Sequence, residues 1–280
     1  VSGAPNNTVG APDTAATDGT IFKVSASWRP HDDQMYFLPG SEGFRPGRLN
    51  RPGGAAGPNG FTVPYALDTD DVTNIELGIK SDYFDSTFRV NASLFFIDIE
   101  RLQTTIFDTS ITNLFFSDNA ANAEVTGVEA DFTWLPAFSD RLTITGAFSI
   151  LDTEITDVLT PTQDVRSGDE LAFAPEFQGT LRARYEWEVG NGVWTAHVMP
   201  SVSWSSEAFS DVVTINRDTM DSWVMGAISV GASSDTWDVE LYANNITDER
   251  AEMARNFVFD RTAVTYAQPL TIGVRAGYRF

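Results

Sequence analysis

Apolar and polar residues alternate one by one along stretch after stretch of this chain, and that pattern restricts its fold more than any other feature. In "TFRVNASLFF", Phe88, Val90, Ala92, Leu94 and Phe96 oppose Arg89, Asn91 and Ser93. In "EVTGVEADFTW", Val128, Ala130, Phe132 and Trp134 oppose Glu129, Asp131 and Thr133. The stretches "NIELGIK", "RLTITGAFSI", "TLRARYEW", "VWTAHVMPSVSW", "TWDVELYAN" and the terminal "PLTIGVRAGYRF" repeat the pattern. A period of two marks a β-strand with one apolar face. Helix start and stop signals are missing from all of these segments.

Two architectures use such strands. A soluble β-sandwich alternates apolar-in and polar-out, with strands of about five or six residues. A transmembrane barrel alternates lipid-facing and lumen-facing residues, with tilted strands of about nine to eleven or more. The runs here reach ten residues and beyond. Aromatic residues cluster near their ends, at Trp28, Trp134, Trp187, Trp194, Trp204, Trp223 and Tyr278, where amphipathic rings favour a membrane interface. The Arg and Glu residues of the polar face would be costly in a dry sandwich core but not in a wet lumen. The sequence therefore predicts an all-β, antiparallel, up-and-down transmembrane β-barrel.

Eleven strands are predicted, at 20–28, 34–44, 72–81, 86–107, 112–135, 141–151, 172–187, 192–206, 220–232, 235–245 and 269–280. Their connections alternate. Tight ones fall at 29–33, 81–86, 136–140, 189–192 and 233–236, and long ones at 45–71, 152–171, 207–219 and 246–268. The hairpin at 108–112 is short, but its strands are long enough to project beyond a membrane. Short turns on one side and long loops on the other fit a barrel whose short side is periplasmic. The strand count is odd and the first tight turn follows the first strand, so residues 1–19 read as the remnant of an extracellular loop. Residues 20–280 then read as the C-terminal part of a larger barrel. The opening "VSGAPNNTVGAPDTAATDGT" does not look like a signal peptide, which leaves either a cytoplasmic protein or a precursor whose start lies upstream. Pro39 is expected to interrupt a ladder unless it sits at a bulge.

Bulk composition narrows the partners. The chain has 280 residues, no cysteine, and 18 Lys+Arg against 39 Asp+Glu, a formal charge of −21. That argues against nucleic acid, a disulfide framework and a thiolate metal site. His31 and His197 stand apart, and no nucleophile–base pair converges on either, so no enzymatic activity and no cofactor are expected. Carboxylates at 68–71 and at Asp152, Glu154 and Asp157 have oxygen ligands suited to Ca²⁺ but read first as solvated acidic loops.

Six segments, "SEGFRPGRLNR", "NIELGIKS", "NAANAEVTGVEADFTWLP", "FAPEFQGTLRARYEW", "LYANNITDERA" and "PLTIGVRAGYRF", lie in the order and spacing of a known family. Together they resemble the C-terminal half of the barrel of TonB-dependent outer-membrane receptors, from about residue 20 to 280. The resemblance implies a bacterial outer-membrane barrel of about 22 strands. The family's internal plug domain and N-terminal TonB box are not found in this sequence. It further implies active uptake of a scarce small-molecule ligand, often a ferric siderophore, with energy from the TonB complex. Phe280 resembles the C-terminal aromatic that the barrel assembly machinery reads. A passive porin-like channel and an outer-membrane binding or adhesin module remain the other functional classes.

Six of the basic residues fall in two long loops: Arg45, Arg48 and Arg51 in one, Arg250, Arg255 and Arg261 in the other. Arg holds carboxylate or phosphate bidentately. Arg48, Arg51, Arg250, Arg255 and Arg261 are therefore candidate contacts for an anionic ligand. Arg255 and Arg261 are the more specific pair, because "GFRPGRLNR" belongs to a framework motif. The alternative is that these arginines tie the loops to one another or to the plug.

Overall fold

The computed structural model describes residues 12, 14–50, 53–258 and 261–279, so Arg51, Phe280 and most of the segment 1–19 lie outside the described residues. The strands are β1 (Lys23–His31), β2 (Gln34–Arg45), β3 (Asp70–Tyr83), β4 (Phe88–Ile106), β5 (Phe116–Trp134), β6 (Leu142–Val158), β7 (Phe177–Val189), β8 (Trp194–Ser205), β9 (Ala208–Phe209), β10 (Thr219–Met220), β11 (Trp223–Ser233), β12 (Trp237–Asn244), β13 (Glu252–Val258), β14 (Arg261–Tyr266) and β15 (Thr271–Tyr278). Eleven of them form one antiparallel sheet in the order β1-β2-β3-β4-β5-β6-β7-β8-β11-β12-β15. The pairs β9–β10 and β13–β14 stand apart from it as small hairpins. Among the described residues the only helical pieces are two 3₁₀ turns, Pro58–Gly60 and Thr214–Asn216, and no helix is long and apolar enough to cross a membrane. The sheet is an open all-β meander, with β1 and β15 at its edges.

Register turns the sequence pattern into two surfaces. Leu77, Leu94, Val128, Ile150 and Phe177 lie directly opposite one another from β3 to β7. Val230, Leu241 and Val274 continue that face across β11, β12 and β15. The other face carries Ser93, Glu129, Ser149, Gln178 and Ser205 in an equivalent row. The apolar face is bare: Val24 is 74% exposed, Val274 70% and Ile272 67%. A continuous apolar surface of this extent is stable against lipid rather than water.

Along the strand axis the apolar face is banded. At the short-turn end, aromatic rings pair across strands: Trp28 with Tyr36 at 5.6 Å, Phe88 with Phe132 at 6.0 Å and Trp237 with Tyr278 at 4.9 Å between centroids. In β4 the outward residues stay apolar over 88–96 and then become Asp98 and Glu100. Asp98, Glu124 and Glu154 sit side by side across β4, β5 and β6. The apolar stretch of nine residues in β4 runs about 26 Å along the strand at about 3.3 Å per residue, the scale of an outer-membrane apolar band.

Close packing within the sheet uses glycine as a socket. A Cβ on Gly78 would lie 2.0 Å from the Phe37 ring, so the ring lies flat on the polar face. On the apolar face Phe132 covers Gly146 in the same way, at 2.5 Å.

Pro39 meets the sequence expectation, while the length of β6 and the content of the 246–268 connection differ from it. Pro39 does interrupt the β2–β3 ladder, where Leu38 and Pro39 have no β3 partner, but the register on both sides is the same and there is no bulge. Pro200 opens the β7–β8 ladder likewise, between Arg182 and Tyr185. β6 runs on to Val158 instead of ending at 151, paired with β5 up to Ala121. Its outward residues there are Asp152 and Glu154, so the backbone pairing continues where the apolar alternation stops. Finally, the long connection at 246–268 is not an irregular loop but carries the β13–β14 hairpin.

Candidate functional site

The long connections all emerge at one end of the sheet, and they pack on one another. Val63, Ile106, Ile111, Phe116, Ala120, Ile155, Val165 and Val213 form a buried cluster from four loops and the projecting strand ends. Phe116 is 1% exposed and meets Phe61 at 6.4 Å between ring centroids. Polar ties lock this canopy. The Gln103 amide donates to the Asp68 carbonyl at 3.0 Å, and the Asn119 amide donates to the Arg101 carbonyl at 2.8 Å. The Asp108 carboxylate accepts from the Thr162 hydroxyl at 2.7 Å and the Ser110 hydroxyl at 2.6 Å. Burial alone would push the Asp108 carboxyl up, but these hydroxyls and the Ser110 and Gln163 amides outweigh it and leave it below the usual carboxylate range. Burial, and then the Asp108 charge, push Asp164 the other way.

The β13–β14 hairpin is attached separately. Asn245, in a left-handed conformation (φ 51), knots its base by donating to the Glu249 carbonyl at 2.9 Å and the Gln268 carbonyl at 2.8 Å. The Asp248 carboxylate accepts from the Leu270 amide at 2.9 Å.

The candidate arginines are not gathered at one point. Arg45 pairs with Asp70 and donates to the Gln103 carbonyl at 2.9 Å, a framework tie. Arg48 donates to the Ser117 hydroxyl at 3.0 Å. Arg255 is held twice by Glu252, at 2.7 and 2.9 Å, and once by Asp218 at 3.0 Å. Its hydrogen bonds to Glu252 raise its pKa further above the ordinary value, against burial, with Asp218 adding to the effect. Arg250 lies over the Tyr266 ring at 5.6 Å, exposed to solvent. Arg261 is exposed at the start of β14.

The histidines are likewise separate. His31 is exposed beside the first turn. His197, 4% exposed, faces the Glu240 carboxylate at 3.3 Å, and Arg275 donates to the same carboxylate at 2.9 Å. This is a polar cluster across β8, β12 and β15, with a buried imidazole Nδ1. Among the described residues no three His, Cys, Asp or Glu side chains converge as a metal site. Asp70 and Asp71 of the 68–71 run are instead paired with Arg45 and Arg101.

Sequence reasoning missed a hollow on the polar face, at its junction with the hairpin. Thr180, Ser203, Met225, Asn244, Met253 and Gln268 line about 370 Å³. It adjoins a second hollow, shared at Met253, where Phe173, Met220 and Trp223 come together. The only hint in the sequence was that Met225 and Trp223 fall on the polar side of an otherwise alternating strand.

An open sheet of eleven long strands with a lipid-compatible outer face, a polar inner face and a loop canopy at one end defines part of an outer-membrane β-barrel wall. The family model for "TonB dependent receptor-like, beta-barrel" matches residues 2–246, and the chain belongs to the TonB-dependent receptor family of bacterial outer-membrane barrels. Solved structures agree on the fold. The ferric yersiniabactin uptake receptor FyuA from Yersinia pestis superposes with a TM-score of 0.73 at 16% identity, covering 92% of this chain and 37% of that one. The siderophore receptor PiuA from Acinetobacter baumannii gives 0.66 at 18% identity, covering 91% and 35%. The ferric citrate transporter FecA gives 0.68 at 15% identity, covering 93% and 38%. The chain thus spans somewhat over a third of the length of the receptors it matches, and these relatives are transport proteins rather than enzymes.

Proposed function

We propose that this chain forms part of a receptor that takes up a scarce small ligand across the outer membrane, with a ferric siderophore as the ligand class and TonB-coupled energy as the drive. In this reading residues 20–280 are the C-terminal part of the barrel, and a plug domain, the TonB complex and the barrel assembly machinery are partners of the whole protein. The observation that carries the reading is the pairing of a lipid-compatible wall with an ordered canopy over one end of its polar face. A passive pore has little use for a canopy with a buried core of its own, whereas a receptor needs fixed surfaces around a captured ligand. The arginines divide by their surroundings. Arg48 and Arg255 hold loops in place, and exposed Arg250 and Arg261 meet the ligand's oxygen atoms as it arrives.

Uptake of radiolabelled ferric chelates by iron-starved cells, with and without the gene, tests this. Loss of uptake on deletion, and an equal loss on collapsing the proton gradient in intact cells, is the expected result. Uptake that depends on the gene but survives the uncoupler favours a passive channel. Indifference to the gene removes the transport reading.

A further inference from the structure

Three parts of the canopy are fastened along one short segment, residues 159–164. The Thr160 hydroxyl donates to the carboxylate of Asp118, at the projecting end of β5. Two residues on, the Thr162 hydroxyl donates to Asp108, in the connection from β4 to β5, at 2.7 Å, and accepts from the Asp164 amide at 3.1 Å. The Asp164 carbonyl then accepts from the Thr214 amide, in the 207–219 connection, at 2.6 Å. Asp118 is buried. Asp164 Oδ2 and the Thr214 hydroxyl oxygen are buried too, and neither has a hydrogen-bond partner among the described residues.

A proton changes what these carboxyl groups do. An ionised carboxylate only accepts hydrogen bonds, whereas a protonated one also donates. Ionised Asp164 keeps a buried oxygen without a donor and is repelled by Asp108. A proton removes that repulsion and gives the group a hydrogen to donate. Burial and then the Asp108 charge raise the Asp164 pKa, while exposed Arg166 works against them. Burial raises Asp118 as well, against its bonds to Thr160 and the Asn119 amide. Burial of Asp108 is outweighed by its hydrogen bonds, so it stays ionised furthest into acid. Other charged groups on the packed elements are engaged elsewhere. The Asp211 carboxylate accepts from the Val213 amide at 3.1 Å, and Arg217 donates to the Glu170 carbonyl at 2.7 Å.

The raised groups cost stability when ionised. That cost disappears as the pH falls from neutrality through their folded values toward the ordinary value of about 3.9. Asp108 has the opposite sign, and its contribution is lost only as the pH falls below about 3.9. We propose that this junction is an acid-operated clasp: a proton on Asp164, assisted by one on Asp118, fastens the 152–171 and 207–219 connections to the β4–β5 hairpin, and ionisation at neutrality loosens them. The canopy is therefore tightest in mild acid. The clasp stands without the uptake reading, and only its bearing on how readily the canopy parts for an arriving ligand rests on that reading.

The test uses the complete receptor, purified in detergent, and amide hydrogen exchange read by mass spectrometry. Protection factors divide out the intrinsic pH dependence of exchange. Between pH 7 and about pH 4.5, protection at Thr214 should rise about threefold or more, with β12 and β15 unchanged. By about pH 2.5 it should fall again, as Asp108 takes up its proton. Asp164→Asn fixes the neutral form, so protection should already be high at pH 7 and the acid rise should shrink by about half or more. Arg166→Gln removes an exposed cation that favours the ionised form, so the rise should move to higher pH. Wild-type protection that only falls with acid overturns the clasp. So does a full wild-type rise in Asp164→Asn, or an Arg166→Gln profile that superimposes on wild type. No ligand enters the measurement, so failure of the clasp and failure of the uptake reading are separate results.

Discussion

The wall and the canopy of this molecule solve opposite problems with the same residue types. In the wall, Val24, Leu241, Ile272 and Val274 point outward and are exposed. In the canopy, Val63, Ile106, Phe116, Ile155 and Val213 point inward and are almost wholly buried. The wall has no core of its own. One layer of sheet has nothing behind it, so its apolar face gains stability only from a surrounding apolar phase. The canopy stands beyond the outward carboxylates Asp98, Glu124 and Glu154, in water, and has to supply its own interior. A chain that contains both is partly a membrane protein and partly a small soluble domain threaded through the wall's connections.

The comparison is broken most forcefully in the canopy. Phe116→Ala removes a fully buried ring and should destabilise the canopy by about 3–5 kcal/mol. Native-state hydrogen exchange should show faster exchange at the amides of Ile111, Val165 and Val213, while the strands of the wall keep their protection. Equal loss of protection in β12 and β15 would mean that wall and canopy are one cooperative unit. The corresponding change in the wall is Val128→Arg, at the middle of the apolar face. Burying that charge in lipid should cost about 2–4 kcal/mol, read as reduced assembly into membranes. The neighbouring Glu129→Arg, on the polar face, should leave assembly near normal, and similar damage from both would contradict the assignment of faces.

A smaller effect concerns acidity and belongs to the canopy alone. Asp108 titrates below its ordinary range, so its stabilisation is present above the unfolded value of about 3.9 and is lost as the pH falls through its lower folded value. Asp164 has the opposite sign, because burial and the Asp108 charge disfavour its ionised form. Asp164→Asn should therefore stabilise the canopy slightly at neutral pH, and the gain should fade as acid protonates the wild-type carboxyl. Thermal unfolding of the loops followed by protease access at pH 7 and pH 4 distinguishes this from a pH-independent packing effect.

Much of the wall was legible in the sequence, since alternation places Leu94, Val128 and Ile150 on one face before any register is known. The legible part ended where the outward residues became acidic. β6 continues through Asp152 and Glu154 because backbone pairing with β5 persists after the hydrophobic pattern has gone. The β13–β14 hairpin was hidden for a related reason: its residues are mixed in character, and Asp260 is the one turn-forming residue in the sequence between its strands. The candidate arginines were visible by type, but their carboxylate partners come from distant segments. Asp218 reaches Arg255 across 37 positions, a contact that no local pattern encodes. The hollow beneath the hairpin depends on that same long-range placement, so Met225 and Met253 could not be brought together from sequence alone.

The central claim is that the alternating faces of the sheet separate lipid from polar surroundings. The chain contains no cysteine, so single cysteines at Glu240, Leu241, Val274 and Arg275 can each carry a spin label without background. Relaxation by molecular oxygen and by a water-soluble nickel complex should then be compared in reconstituted membranes. The account predicts strong oxygen relaxation and nickel exclusion at Leu241 and Val274, and the reverse ranking at Glu240 and Arg275. Loss of this two-residue alternation, or nickel access at Leu241 equal to that at Glu240, would contradict it.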